Sequence, residues 1–300
     1  MSKIIPFPAL LPKLELAAKI VCPPYDVLTS DEARGLAAGN EHSLLHVTKP
    51  EIDFPPDVGE YDDRVYLRGR ENLKSFEDKG WLARDAASFY IYRIEHRGHA
   101  QTGLVCAASA DDYDSGRIKK HEKTRKEKED DRARVADTLS AHAEPVLFAC
   151  RTSPEIKKAI AVSTAGKPLY DVMGPDGARH ILWRAVNADE LAKVFGAVGA
   201  LYIADGHHRS AVGSRTRALR KGRNPGHTGR EPYNFFPVVV FPDDELRVYR
   251  YDWDGAPDER PLADVTIGDI MKIADEGGIM PPKSTWFSPK LISGLFVYTF

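Results

Sequence analysis

Little in this sequence offers the usual shortcuts to a function. Its 300 residues hold three cysteines, Cys22, Cys106 and Cys150, odd in number and widely spaced. Without a CxxC pair there is no cysteine-based zinc ribbon or dithiol centre, and no disulfide scaffold is expected. Long apolar runs are missing. The longest is about the length of Phe235–Phe241, against the roughly 20 residues a membrane span needs. The first residues bring one early lysine and then Pro6, Pro8 and Pro12, without the apolar core of a signal peptide. The expected location is the cytoplasm, with no membrane partner. An excess of one charge is missing too. Lys and Arg number 42 against 44 Asp and Glu, a net of −2, which argues against a dedicated nucleic-acid coat. Neither GxGxxG nor GxxxxGK[ST] occurs, so no nucleotide fingerprint applies, and the absence of GxSxG leaves no nucleophile elbow. No long repeat or low-complexity linker is visible.

What is present suits a folded core, since 42% of the residues are hydrophobic and 29% charged. Thr29 and Glu32 form a capping box that opens a short helix ending near Gly39. Val58, Tyr61, Val65, Leu73 and Phe76 fall at helical spacing up to Gly80. Ser88–His96 and Thr102–Ser109 read as strands around Arg97-Gly98-His99. A long helix is expected over Lys119–His142, then a strand over Pro145–Cys150 and a helix capped by Ser153. Pro168–Met173 and Arg179–Val186 read as strands, and Asn187 with Glu190 as the cap of a further helix. Leu201–Ala204 is a short buried strand that runs into Asp205-Gly206, with a helix from about His208. Tyr233–Phe241 and Leu246–Tyr251 are expected to pair as a hairpin. Thr266–Glu276 reads as a helix, and Thr285–Phe287 and Leu295–Tyr298 as strands. The fold class is α+β (mixed α/β), without the regular alternation of a dinucleotide fold or barrel. The chain reads as one intertwined domain, 1–300, in which an N-terminal part, 1–110, and a phosphate-binding part, 111–300, can be distinguished.

The sharpest motif is Asp205-Gly206-His207-His208-Arg209, where a buried strand meets a helix start. Gly206 permits a tight turn and a close ligand, and the free amides of the first helical turn favour an anion. Arg209 adds a planar fork suited to phosphate oxygens, and His207 and His208 can donate to the same anion or carry a proton. The plainer alternative is that Asp205 caps the helix and the histidines satisfy local hydrogen bonds. Zinc is not expected here, because adjacent histidines diverge on a helix and no spaced His or Cys completes a tetrahedron.

The second motif is charge-dense. From Lys119 to Arg134, 13 of 16 residues are charged, eight positive and five negative. Lys123 with Glu127 and Lys126 with Asp130 are opposite at helical spacing. Glu127 with Asp131 and Lys128 with Arg132 are alike, which a helix selected only for solubility would avoid. A strip facing a multiply charged ligand is expected, against the alternative of a solvated face. Within it, Glu122 of His121-Glu122-Lys123-Thr124 can take a proton or hold Mg²⁺. Two further segments pair rigid prolines with polar groups: Cys22-Pro23-Pro24-Tyr25-Asp26 and Met280-Pro281-Pro282-Lys283-Ser284-Thr285. His46 reads as a satisfied core residue. The basic stretch Ser214–Arg230 lacks interleaved aromatics, and reads as a solvated loop or a positive rim rather than a nucleic-acid surface.

These motifs in this order, with Asp131-Arg132 between the second and third, resemble domain-of-unknown-function family 1015, from Pro6 to Val297. The connection Asp252–Met280 is shorter than is usual there. The Asp-Gly-His-His-Arg turn is also similar to the phosphate-binding motif of the ParB/sulfiredoxin-like superfamily, which includes free-serine kinases, nucleotide-dependent partition proteins and sulfinic acid reductases. The resemblance implies a ParB/sulfiredoxin-like core with added helices and strands. It also implies transfer of a phosphoryl group from ATP, ADP or pyrophosphate, with Mg²⁺, to the hydroxyl of free L-serine. On this reading Gly206 and His207 hold donor phosphates, and His208 and Arg209 neutralise the transferred group. Asp205, Glu122 and Asp26 are the candidate catalytic acids and bases. Lys283, Ser284 and Thr285 close over the phosphates, and Tyr25, His121, Thr124 and Arg132 meet the amino acid. The competing expectation is a non-catalytic, ParB-like regulator that binds a nucleotide or phosphometabolite and touches DNA; a phosphate-ester hydrolase would need the same cradle.

Overall fold

The strand Phe235–Pro242 is buried along its whole length, and the alternation of its side chains divides the interior in two. Val238 and Val240 face one side with Leu104, Cys106, Phe148 and Ile203. Val239 and Phe241 face the other with Tyr92, Val105, Leu147 and Tyr202. The computed structural model describes residues 2–250, 266–279, 285–287 and 291–300, with backbone alone at 249–250 and 285–287.

Phe235–Pro242 lies inside a nine-stranded mixed sheet. Its order is Ile118–Lys119, Leu201–Asp205, Val146–Cys150, Phe235–Pro242, His99–Ser109, Tyr90–His96, Arg179–Arg184 and Tyr170–Met173. Ile4–Ile5 adds to His99–Ser109. Two neighbouring pairs are parallel, Leu201–Asp205 with Ile118–Lys119 and Val146–Cys150 with Phe235–Pro242. Helices Pro154–Thr164 and Ala188–Gly196 cover one face through Ile156, Ile160, Leu191 and Phe195. Helix Ile267–Asp275 and residues 291–298 cover the other. A third cluster joins Leu45, Val47 and Leu73 of the N-terminal helices to Leu139, Ala141 and Val297. The fold is α+β, as expected. The three cysteines are buried and free. Among the described residues, no helix is long and apolar enough to cross a membrane.

Local chemistry explains the ends of several elements. Thr29 and Glu32 form the expected reciprocal box on helix Ser30–Ala37, and Thr266 with Asp269 forms a second. Ser153 caps Pro154–Thr164 through the Ile156 amide. Arg97 and Gly98, at φ +48° and +73°, make the two-residue turn between paired His96 and His99. Helix Asp63–Asp78 starts after Asp62, so Val58 and Tyr61 fall outside it. Asn187 precedes Ala188–Gly196 without capping it; its Oδ1 accepts from Ser163 at 2.8 Å.

Three expectations change. The hairpin of 233–241 with 246–251 does not form. Phe235–Pro242 is apolar on both faces and takes an interior position, while Val248–Arg250 pairs with Thr285–Phe287. The helix expected over Lys119–His142 spans Lys126–Leu139. Lys119 belongs to a strand before it, and Ser140 at φ +52° ends it, so Lys123 and Glu127 are not a helical pair. Several carboxylates in and just beyond the charged strip meet side chains of this protein's own helices. Asp131 accepts from Tyr66 at 2.6 Å, Glu129 from Arg215 at 2.8 Å, and Asp137 from Arg220 and Arg223 at 2.6 and 2.7 Å. Ser214–Arg230 is accordingly no solvated loop. Up to Arg223 it is helix His207–Arg223, whose arginines meet these carboxylates.

Gly103 sets the closest approach in the sheet. A Cβ there would lie 2.6 Å from the Val240 carbonyl oxygen and 2.8 Å from the Phe241 ring. Gly103→Ala is expected to cost about 1–3 kcal/mol, read as a lower urea midpoint at unchanged m.

Candidate functional site

Strand Leu201–Asp205 ends at Gly206, whose φ of +90° favours glycine, and helix His207–Arg223 follows at once. Gly206 brings no capping side chain. Among the described residues, the amides of His207, His208 and Arg209 therefore have no hydrogen-bond acceptor. The helix starts with its positive end uncompensated by a cap.

Arg209 does not leave this turn as a free fork. It is 7% exposed and folds back over Gly206, where an added Cβ would sit 3.0 Å from its Cζ and Nε. Nη2 donates to Asp205 at 2.6 Å and lies 3.4 Å from Asp26. Nη1 donates to the Pro145 carbonyl, and Nε is buried without a partner among the described residues. Burial opposes the charge, but Asp26, Asp205 and Glu144 outweigh it and hold the guanidinium protonated. Arg209 thus ties together the helix start, the strand entry at Pro145 and the Tyr25-Asp26 segment.

The histidines also turn inward. The His208 Nε2 accepts the Arg125 amide at 3.1 Å, and the His207 Nε2 receives the His121 amide at 3.5 Å. These contacts draw residues 120–125 across the helix start and explain why helix Lys126–Leu139 begins late. The His121 and His207 rings meet edge to face, centroids 4.5 Å apart, and Glu122 Oε2 stands 3.5 Å from His207 Nδ1. Burial lowers His121 to about 4, against the pull of Asp205. Burial, then the His121 charge, pushes His207 well below the ordinary histidine value. Burial lowers His208 too, with Lys128 next in effect. A spaced histidine therefore does reach this turn, contrary to the sequence expectation, because the loop rather than a helix carries His121.

On the other side of Arg209, Arg132 stacks over the Tyr25 ring at 4.4 Å, and its Nε and Nη1 donate to Asp131 and the Thr48 carbonyl. The Tyr25 amide donates to Glu144 at 2.7 Å. Tyr25, Arg132, His142, Glu144 and Arg209 line a cavity of about 50 Å³. Desolvation there pushes the Glu144 carboxyl up to about 7, against Arg209. Burial lowers His142 to about 3, and its Nε2 has no partner among the described residues.

Three of the four motifs thus meet: Tyr25 and Asp26, His121 and Glu122, and Asp205 to Arg209. Thr124 is engaged by Glu129. Lys283 and Ser284 lie outside the described residues, and Thr285 is placed only as a backbone partner of Arg250. Glu144 and His142 were missed. Their one signal is a polar pair, His142-Ala143-Glu144, wedged between a helix and the apolar run Val146–Cys150.

The fold and the turn define an α+β protein with an uncapped helix start enclosed by carboxylates and imidazoles. The chain belongs to the family described as protein of unknown function DUF1015, whose profile matches residues 4–252. The Pro281-Pro282 motif lies beyond that stretch. No curated protein and no solved structure matches the chain.

Two outcomes are expected. Gly206→Ala combines a strained φ with a clash on a buried guanidinium, and should lower stability by about 1–3 kcal/mol in chemical denaturation. Glu144 keeps its proton in the folded chain between its ordinary 4.5 and about 7, where the unfolded chain has lost it. It therefore stabilises most at low pH, and its contribution falls as pH rises through that window. Stability of Glu144→Gln relative to the parent should rise by on the order of 1–3 kcal/mol from pH 4.5 to 7 and level off above. The histidine titrations oppose this slope in both proteins and cancel in the difference. A flat difference would refute the assignment.

Proposed function

We propose that the protein is a phosphotransferase built on a ParB/sulfiredoxin-like core, moving a phosphoryl group from ATP, ADP or pyrophosphate to the hydroxyl of free L-serine. The observation that carries this reading is the set of amides at His207, His208 and Arg209, without an acceptor among the described residues, beside the carboxylates of Glu122 and Asp26. The amides bind donor phosphate oxygens. Glu122 takes the proton of the acceptor hydroxyl, whose oxygen forms the new bond to phosphorus while the bridging P–O bond breaks and its electrons leave with the shortened donor. Mg²⁺ carried by the donor would neutralise charge on its phosphates. Asp26 is the less available carboxylate, because it is paired with Arg209 at 3.4 Å. Positioning and electrostatics supply most of the rate in such chemistry.

Phosphorus NMR with Mg²⁺, testing L-serine against ATP, ADP and pyrophosphate separately, reads the outcome. A serine-dependent phosphomonoester signal is expected, and Glu122→Gln should lower its rate by about 10²–10⁴-fold with the fold retained. Arg209→Ala is the poorer probe, since it also removes an ion-pair partner of Asp205 and of Asp26. Free phosphate without ester would point to hydrolysis, and donor binding without turnover to a regulator; either would overturn the proposal.

A further inference from the structure

We infer that His121, Glu122 and His207 form a binding site for one borderline divalent metal ion of the Zn²⁺ class. One ligand atom from each residue lies within 4.8 Å of the other two, and the group spans a loop and a helix start 86 positions apart. Two imidazoles and one carboxylate are a donor set for Zn²⁺, Co²⁺ or Mn²⁺, whereas Mg²⁺ prefers all-oxygen surroundings and keeps its waters. Both imidazoles are at least nine-tenths buried, at 3% and 5% exposure, so little entropy is lost in fixing them. Glu122 is 32% exposed and keeps the site open on one side.

The contact that competes is the His121 amide to the His207 Nε2, marginal at 3.5 Å. Three protein ligands leave a fourth position for water or a phosphate oxygen, the pattern of sites that act on a substrate. A monodentate Glu122 retains its second oxygen for the acceptor proton, so the site is compatible with phosphoryl transfer but does not rest on it.

The test is direct binding to the full chain after chelator treatment and dialysis. Co²⁺ titration should produce d–d absorption between about 500 and 650 nm that saturates near one equivalent and is displaced by Zn²⁺ but not by millimolar Mg²⁺. Glu122→Gln, at a partly exposed position, should fold normally and weaken Co²⁺ and Zn²⁺ at least tenfold. His121→Gln should weaken them further, with folding checked by circular dichroism. Absorption that is absent, exceeds one equivalent, or survives both substitutions would overturn the proposal. Phosphoryl transfer is read separately by NMR, so a metal without transfer, or transfer without this metal, separates the two claims.

Discussion

A buried guanidinium organises this molecule. Arg209 lies under a glycine turn with two carboxylates on one nitrogen and a backbone carbonyl on another. Bringing such a charge out of water is costly unless every partner is in place. The strand end, the helix start, the Pro145 entry and the Tyr25-Asp26 segment must therefore meet in one arrangement. Asp26 sits 183 positions from Arg209 in the chain, so this ion pair fixes the N-terminal segment to the sheet. The cavity beside Glu144 and the loop that carries His121 flank the same point.

Elements governed by local chemistry were legible in the sequence. Thr29, Ser153 and Thr266 announce helices because the caps bond within three residues. The Arg97-Gly98 turn and the Gly206 stop are equally local. What failed was non-local. Nothing near Phe235 tells it to pair in parallel with Val146–Cys150 rather than to fold back on 246–251. The 119–125 segment has helix-forming residues, yet His207 and His208 claim its amides from more than 80 positions away.

The site divides in the same manner. The motif residues stood out because polar groups beside glycine and prolines are unusual, and three of the four motifs do converge. Their partners did not stand out. The sequence shows that Arg209 is cationic, but only the fold shows that its charge is answered within the chain. Like-charged neighbours on helix Lys126–Leu139 suggested an external ligand. Two carboxylates of that helix, Asp131 and Glu129, turn to Tyr66 and to Arg215, because the helix is packed between two others.

The interior position of Phe235–Pro242 has a consequence for synthesis. Its neighbours, His99–Ser109 and Val146–Cys150, leave the ribosome about 85 or more residues earlier and cannot close against each other without it. Until then two apolar strand edges stand open on the nascent chain, a hazard for association with other chains. Sheet closure is a late, long-range event, and folding of this protein is paced by the arrival of one strand rather than by its many well-capped helices.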